Sequence, residues 1–221
     1  MRTKLFLYSC AWYDGAKYVC LDKWKQIIEN GKCLIYSFGL ADDWSFEETL
    51  AEMGCKVRAF DPTVNRPSSV KHPNISFEKI GLSHFSGTTQ VFDNVHNNKK
   101  VLVQVKTLDD IIKSYGEEKE MITYMKVDVE SSELKAIPEW IKSGILKNIQ
   151  QIGIELHTGQ VHVKDHQIPQ TLSPVLKGVV QMCQDFGFKI IDYTPNGCVS
   201  KSQDKVEKRF HTYFDIVLYK P

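Results

Sequence analysis

The stretch Cys33-Leu34-Ile35-Tyr36-Ser37-Phe38-Gly39-Leu40-Ala41-Asp42-Asp43 decides the fold. From Cys33 to Tyr36 it is continuously apolar and too short for a helix, the pattern of a strand buried on both faces. It then breaks through Gly39 into a turn-rich, acidic segment. A strand that ends in a turn and leads into a helix is the opening unit of an α/β sheet.

The elements on either side repeat that alternation. Upstream, Leu21, Trp24, Ile27 and Ile28 lie at helical spacing over 21–30 and stop at Gly31. Downstream, Ser45 and Glu48 form a capping box for a helix whose inner face is Phe46, Thr49, Leu50 and Met53. The strand 56–60 stops at Asp61-Pro62, because proline cannot donate to a ladder. A third strand, 75–80, is stopped by Gly81, and the polar segment 83–100 reads as a loop or an excursion hairpin. Residues 101–105 form a further strand, and Thr107 caps a helix on Leu108, Ile111 and Ile112.

Strand 121–129, helix 132–143 (bending at Pro138), strand 149–156 and helix 171–186 follow. The final strands, 188–193 and 213–218, have no helix between them, which suits an antiparallel pair at one edge. The expected fold is α/β: a mostly parallel sheet with helices on both faces and an antiparallel strand at one edge. Residues 32–221 make one domain, and 1–31 an N-terminal segment and helix packed on it.

With 221 residues there is ample chain for one core, and 28 Lys+Arg against 27 Asp+Glu leave a net charge of +1. That balance gives no electrostatic reason to expect a nucleic-acid partner. No apolar run reaches the roughly 20 residues of a membrane helix. No export signal is visible, so the chain reads as soluble; a longer parent shorn of a leader would read identically, which leaves the compartment open, the secretory pathway included. The six cysteines are too scattered for a disulfide scaffold, and none sits in a Cys-x-x-Cys pair. Cys33 and Cys55 border buried strands and read as small hydrophobes; Cys10–Cys20 and Cys183–Cys198 pairings stay open.

In an open α/β sheet, ligands bind beyond the carboxyl ends of the strands. Gly39 there lets backbone approach a ligand, and Asp61 follows it by 22 residues, near the roughly 20-residue offset of a ribose-binding acid. No Gly-x-Gly-x-x-Gly run is present, and Asp42 and Asp43 would repel a pyrophosphate. An acidic turn suits a cationic cofactor without phosphate, such as S-adenosylmethionine. Further on, alternation sets Asp128 and Glu130 on one side of their strand end, and Glu155 and His157 on one side of theirs. Adjacent strands would bring three acids and an imidazole to one rim, an arrangement that needs a cation, a proton or a substrate to neutralise it. Taken singly, Glu130 could instead cap the next helix and His157 bond a loop carbonyl.

Ile35-Tyr36-Ser37-Phe38-Gly39, Ser45-Phe46-Glu47, Phe60-Asp61-Pro62-Thr63 and Met125-Lys126-Val127-Asp128-Val129-Glu130 together resemble the FkbM-type family of S-adenosylmethionine-dependent methyltransferases. Within it, they look like the branch typified by methyltransferase-like protein 24. Glu155-Leu156-His157 and Tyr18-Val19-Cys20-Leu21-Asp22 add to the likeness, which runs from about Trp12 to His157. The resemblance implies a Rossmann-like class I methyltransferase with a seven-stranded sheet whose final strand is antiparallel. It implies that Ser37, Phe38, Gly39 and Asp42 line the cofactor, Asp61 and Pro62 meet its ribose, Gly81 and Leu82 border its adenine, and Asp128 and Glu130 lie near the methyl. Ser131 stands where the family has glycine.

The expected activity is methylation of a hydroxyl on a small molecule or carbohydrate. Near-attack geometry and a general base are its requirements. His157 is the expected base, with Glu130 or Glu155 orienting it or binding the acceptor. A divalent cation on Asp128 and Glu155 is another way to lower the hydroxyl pKa. A methyltransferase-like fold that binds without catalysis is the competing reading; a nicotinamide-dependent oxidoreductase is opposed by the acidic turn. The segments 83–100, 160–170 and 195–209 are expected to shape the acceptor pocket, with His162 and His166 as solvated loop residues.

Overall fold

The computed structural model describes residues 4–7, 17–67, 69–93, 99–157, 168–195 and 213–221. Two short antiparallel strands, β1 (Lys4–Leu7) and β2 (Lys17–Cys20), come first and are followed by helix α1 (Trp24–Glu29). Then β3 (Leu34–Phe38), α2 (Ser45–Glu52), β4 (Lys56–Phe60) and β5 (Ile75–Glu78) give the expected strand–helix–strand opening. The chain continues through β6 (Gly81–Leu82), β7 (Gly87–Asp93), β8 (Lys99–Lys106) and α3 (Leu108–Ser114). Strand β9 (Tyr124–Val127), α4 (Glu133–Ser143), β10 (Gln151–His157), α5 (Ile168–Phe186), β11 (Lys189–Pro195) and β12 (Tyr213–Tyr219) complete it.

The main sheet has seven strands in the order β11-β12-β10-β9-β3-β4-β5. Pairings from β10 through β5 are parallel, while β12 runs antiparallel to both β10 and β11. The antiparallel pair expected at that end is therefore β11 and β12, with β12 inserted between β10 and the outermost strand. This mostly parallel, helix-covered sheet is Rossmann-like. The strand read at 101–105 is real, but it belongs to a separate three-stranded sheet, β6-β8-β7, built on the excursion hairpin.

Strand β3 shows why its sequence is continuously apolar. Leu34, Tyr36 and Phe38 pack into a core with α3, α4 and α5 residues on one face. Cys33 and Ile35 pack into a second core with α1 and α2 on the other. Tyr36 stacks on Phe60 at 5.7 Å and Phe38 on Phe60 at 4.8 Å between ring centroids, joining β3 to β4.

Two local expectations change. Ser45 is already the first helical residue of α2, so it cannot be the non-helical cap. Trp44 holds the cap position without a side-chain bond, and just before it the Asp43 carboxylate accepts the Ser45 N–H at 2.9 Å in an Asx turn. Cys33 and Cys55 are not free thiols but a disulfide. Each precedes one of the paired strands β3 and β4, whose register starts at Leu34↔Lys56, so their Cα atoms come within 4.6 Å. Cys20 and Cys183 are free, and Cys10 and Cys198 lie outside the described residues. Thr107 caps α3 as expected, accepting the Asp110 N–H at 3.2 Å.

Candidate active site

The carboxyl end of β3 is governed by Gly39, whose φ is 77°. A Cβ there would sit 1.7 Å from the Asp128 carbonyl oxygen. The glycine is thus required by the close crossing of the chain leaving β9. Beneath the turn, the buried Lys126 donates to the Gly39 carbonyl at 3.0 Å and stands 3.6 Å from Glu47 Oε1. Ser37 donates to the same Glu47 oxygen at 2.5 Å. The Ser37 and Phe38 side chains are therefore inside the core, and only their main chain is left to line a cofactor.

Asp61 is buried, and protein donors engage both of its oxygens. Oδ2 accepts the Leu40 and Ala41 N–H groups at 3.0 and 3.2 Å. Oδ1 accepts from the Thr63 N–H at 2.8 Å, the Thr63 hydroxyl at 2.7 Å and the Val64 N–H at 3.2 Å. Five bonds fill a carboxylate with about four lone-pair sites, so Asp61 is a clasp tying the turn after β3 to the turn after β4. Pro62 packs on Gly81, where an added Cβ would meet Pro62 Cγ at 3.2 Å, and Leu82 is in the core. Asp42 is exposed in the turn.

The second cluster forms across β9, β10 and β12. Strand alternation puts Ile152, Ile154 and Leu156 into the core and leaves Gln151, Gly153, Glu155 and His157 on the opposite face. Asp215 pairs with Glu155 in the β10–β12 register. Over this polar face lies β2. Gln151 bonds both the N–H and the carbonyl of Cys20, at 2.9 and 2.7 Å, and the Tyr124 hydroxyl donates to the Tyr18 carbonyl at 3.0 Å. Lys17 then projects into the acids, fully buried, with Nζ 2.5 Å from Asp215, 3.5 Å from Glu155 and 3.5 Å from Asp128. Burial works against the ammonium, and the charges of Asp128, Asp215 and Glu155 outweigh it, holding the lysine above its ordinary range. For Asp128, burial is likewise outweighed, chiefly by Lys17, and the carboxyl is held below its ordinary range. Burial first and the Asp128 charge second push Glu155 up to about 8.

At the rim, His157 is held by Glu133 at the start of α4. Glu133 Oε1 accepts the His157 N–H at 2.8 Å and lies 3.0 Å from Nδ1. The other ring nitrogen, Nε2, faces Glu130 at 3.7 Å and Asp128 at 3.9 Å. Burial disfavours the cation here, but the Glu133 hydrogen bond and charge prevail and raise the imidazole to about 9. His157 is thus an imidazolium at neutral pH. Asp128 and Glu130 both face Nε2, though not by strand alternation: β9 ends at Val127, and Glu130 and Ser131 turn back with φ of 52° and 77°. A left-handed φ at Ser131 is what a glycine would take without strain.

Asp128, Glu155 and His157 each offer one ligand atom, all within 4.8 Å of one another. The Lys17 ammonium already stands beside both carboxylates, and an added divalent ion would face a fixed like charge. The residues present do not fit a resident divalent cation. Lys17, Glu133 and Asp215 are the participants that sequence reasoning missed. Glu133 carried a faint signal, an acid at a helix start directly after the Asp128 motif; Lys17 carried none. His162, His166 and most of the acceptor-pocket segments 160–170 and 195–209 lie outside the described residues.

A family model described as a methyltransferase domain matches residues 9–183. "Probable methyltransferase-like protein 24" of Homo sapiens is 30% identical over 144 residues, 63% of this chain and 37% of the relative. Its namesake in Rattus norvegicus is 25% identical over 202 residues, 90% of this chain and 48% of the relative. The chain therefore spans less than half the length of these curated relatives. Among solved structures, a protein assigned as an S-adenosylmethionine-dependent methyltransferase from Streptococcus mutans is similar over 98% of this chain and 55% of its own, at 11% identity and a TM-score of 0.48. The methyltransferase-domain match covers most of the residues that build both strand-end clusters, and the chain belongs to the methyltransferase-domain family.

Proposed function

We propose that this chain is an S-adenosylmethionine-dependent methyltransferase that methylates a hydroxyl oxygen on a small molecule or carbohydrate. One observation carries the reading. His157 is fixed through Nδ1 by Glu133 and turns Nε2 to Asp128 and Glu130, at the strand ends next to the Gly39 turn. When bound, S-adenosylmethionine supplies an electrophilic methyl on a sulfonium. The main chain at Ser37, Phe38 and Gly39, with Asp42, Pro62, Gly81 and Leu82, would line its nucleoside end. Asp61 would act by holding the turn in shape, and a ribose would have to compete with Leu40 and Ala41 for its carboxylate.

His157 would accept the acceptor's proton once its own is lost, so turnover should climb with pH toward about 9. Near-balanced charge supports a small acceptor over a nucleic acid. The Cys33–Cys55 disulfide supports an oxidising compartment. The test is formation of S-adenosylhomocysteine with hydroxylated small molecules, with sugars and, in a separate arm, with RNA, followed by location of the methyl by NMR. An O-methyl product that vanishes in His157→Asn is expected; methyl on nitrogen or on RNA would overturn the acceptor assignment. The left-handed turn at Ser131, where the resembled family has glycine, favours a second reading, a fold that binds without turning over. Cofactor binding with no S-adenosylhomocysteine in any arm would select it.

A further inference from the structure

We propose that the Lys17 ammonium is the resident cation of the Asp128–Glu155–Asp215 cluster, standing where a divalent metal would otherwise be needed. The chemistry of the cluster demands some cation, because buried acids in mutual contact are costly unless neutralised. The protein delivers one from 111 residues away in sequence, on a strand fastened to the sheet by Gln151 and Tyr124. Gly153 makes room for that strand: a Cβ there would lie 1.8 Å from the Tyr124 hydroxyl and 3.4 Å from Lys17 Cβ. Divalent ions take carboxylate oxygens at roughly 2.0–2.6 Å. An ion reaching both Asp128 and Glu155 would have to share the space between them with an ammonium 3.5 Å from each. Ammonium and metal are alternatives at this position. Lys17 is a positioning residue: it fixes Asp128, whose other oxygen faces His157.

For catalysis the consequence rests on the methyltransferase reading; for metal exclusion it does not. The test uses the full chain with Mn²⁺ alone, followed by electron paramagnetic resonance and calorimetry. It compares wild type, Lys17→Met and the charge-balanced Lys17→Met/Asp215→Asn. Wild type should bind no stoichiometric Mn²⁺. The Lys17 variants should bind one Mn²⁺ at least tenfold more tightly, and adding Asp128→Asn should abolish that site. In turnover assays wild type should be indifferent to chelator, while any activity of the Lys17 variants should become Mn²⁺-dependent. Stoichiometric Mn²⁺ on wild type that Asp128→Asn removes would overturn the proposal, as would folded Lys17 variants that acquire no ion. Should neither variant fold, the wild-type titration decides alone. Absence of turnover in every arm counts against the methyltransferase reading and leaves the Mn²⁺ result standing.

Discussion

Ser131 and His157 show what single positions contribute at this rim. Ser131 holds φ at 77° in the turn that carries Glu130 back toward His157. A serine there is strained and a glycine is not. Ser131→Gly should raise stability by about 1 kcal/mol in urea unfolding, the reverse of the usual cost of added backbone freedom. His157, ordinarily near 6.5, is raised to about 9 by Glu133, so the folded state holds the proton more tightly than the unfolded chain. Its stabilisation is full below about 6.5 and is lost as pH rises through about 9. Glu155, raised from 4.5 to about 8, acts in the same direction over a lower window. Melting temperature should therefore fall from mildly acidic to alkaline pH. His157→Gln should flatten the upper part of that fall, and Glu155→Gln the lower part.

The strands β3 and β4 are joined three ways: by their ladder, by stacked Phe38 and Phe60, and by the Cys33–Cys55 bond at their amino ends. Sealing a loop of 22 residues constrains the unfolded chain by about 3 kcal/mol in the chain-entropy account. Reductant should lower the urea midpoint accordingly, and Cys33→Ala/Cys55→Ala should lose that sensitivity. Helix starts were partly legible. Thr107 caps α3 as its position before an apolar stripe indicates. The start of α2 lies one residue earlier than the Ser45 cap implies, because Asp43 and Ser45 are both competent cap chemistry and only the turn conformation chooses between them.

Across the molecule, strand β2 lies on the polar face of the main sheet and carries Lys17 into it. Its docking depends on Gly153, which lets the Tyr124 hydroxyl reach the Tyr18 carbonyl. Gly153→Ala should loosen β2 and speed hydrogen exchange over residues 17–20. Tyr124→Phe in that background should recover part of the protection, because it removes the atom that the new methyl strikes.

Apolar periodicity, turn residues and strand–helix alternation are local properties, and they were enough for the sheet, its helices and the strand ends where Asp128, Glu130, Glu155 and His157 gather. The motifs around Asp61 and Asp128 carried the family as well. Three-dimensional packing alone decided which partner each of these groups has. Gly39 answers to the Asp128 carbonyl, Asp61 to the amides of the neighbouring turn, His157 to Glu133, and three acids to Lys17. Such pairings join residues far apart in the chain, and the energy of a buried charge depends on its neighbours in space. No spacing or pattern along the sequence encodes them.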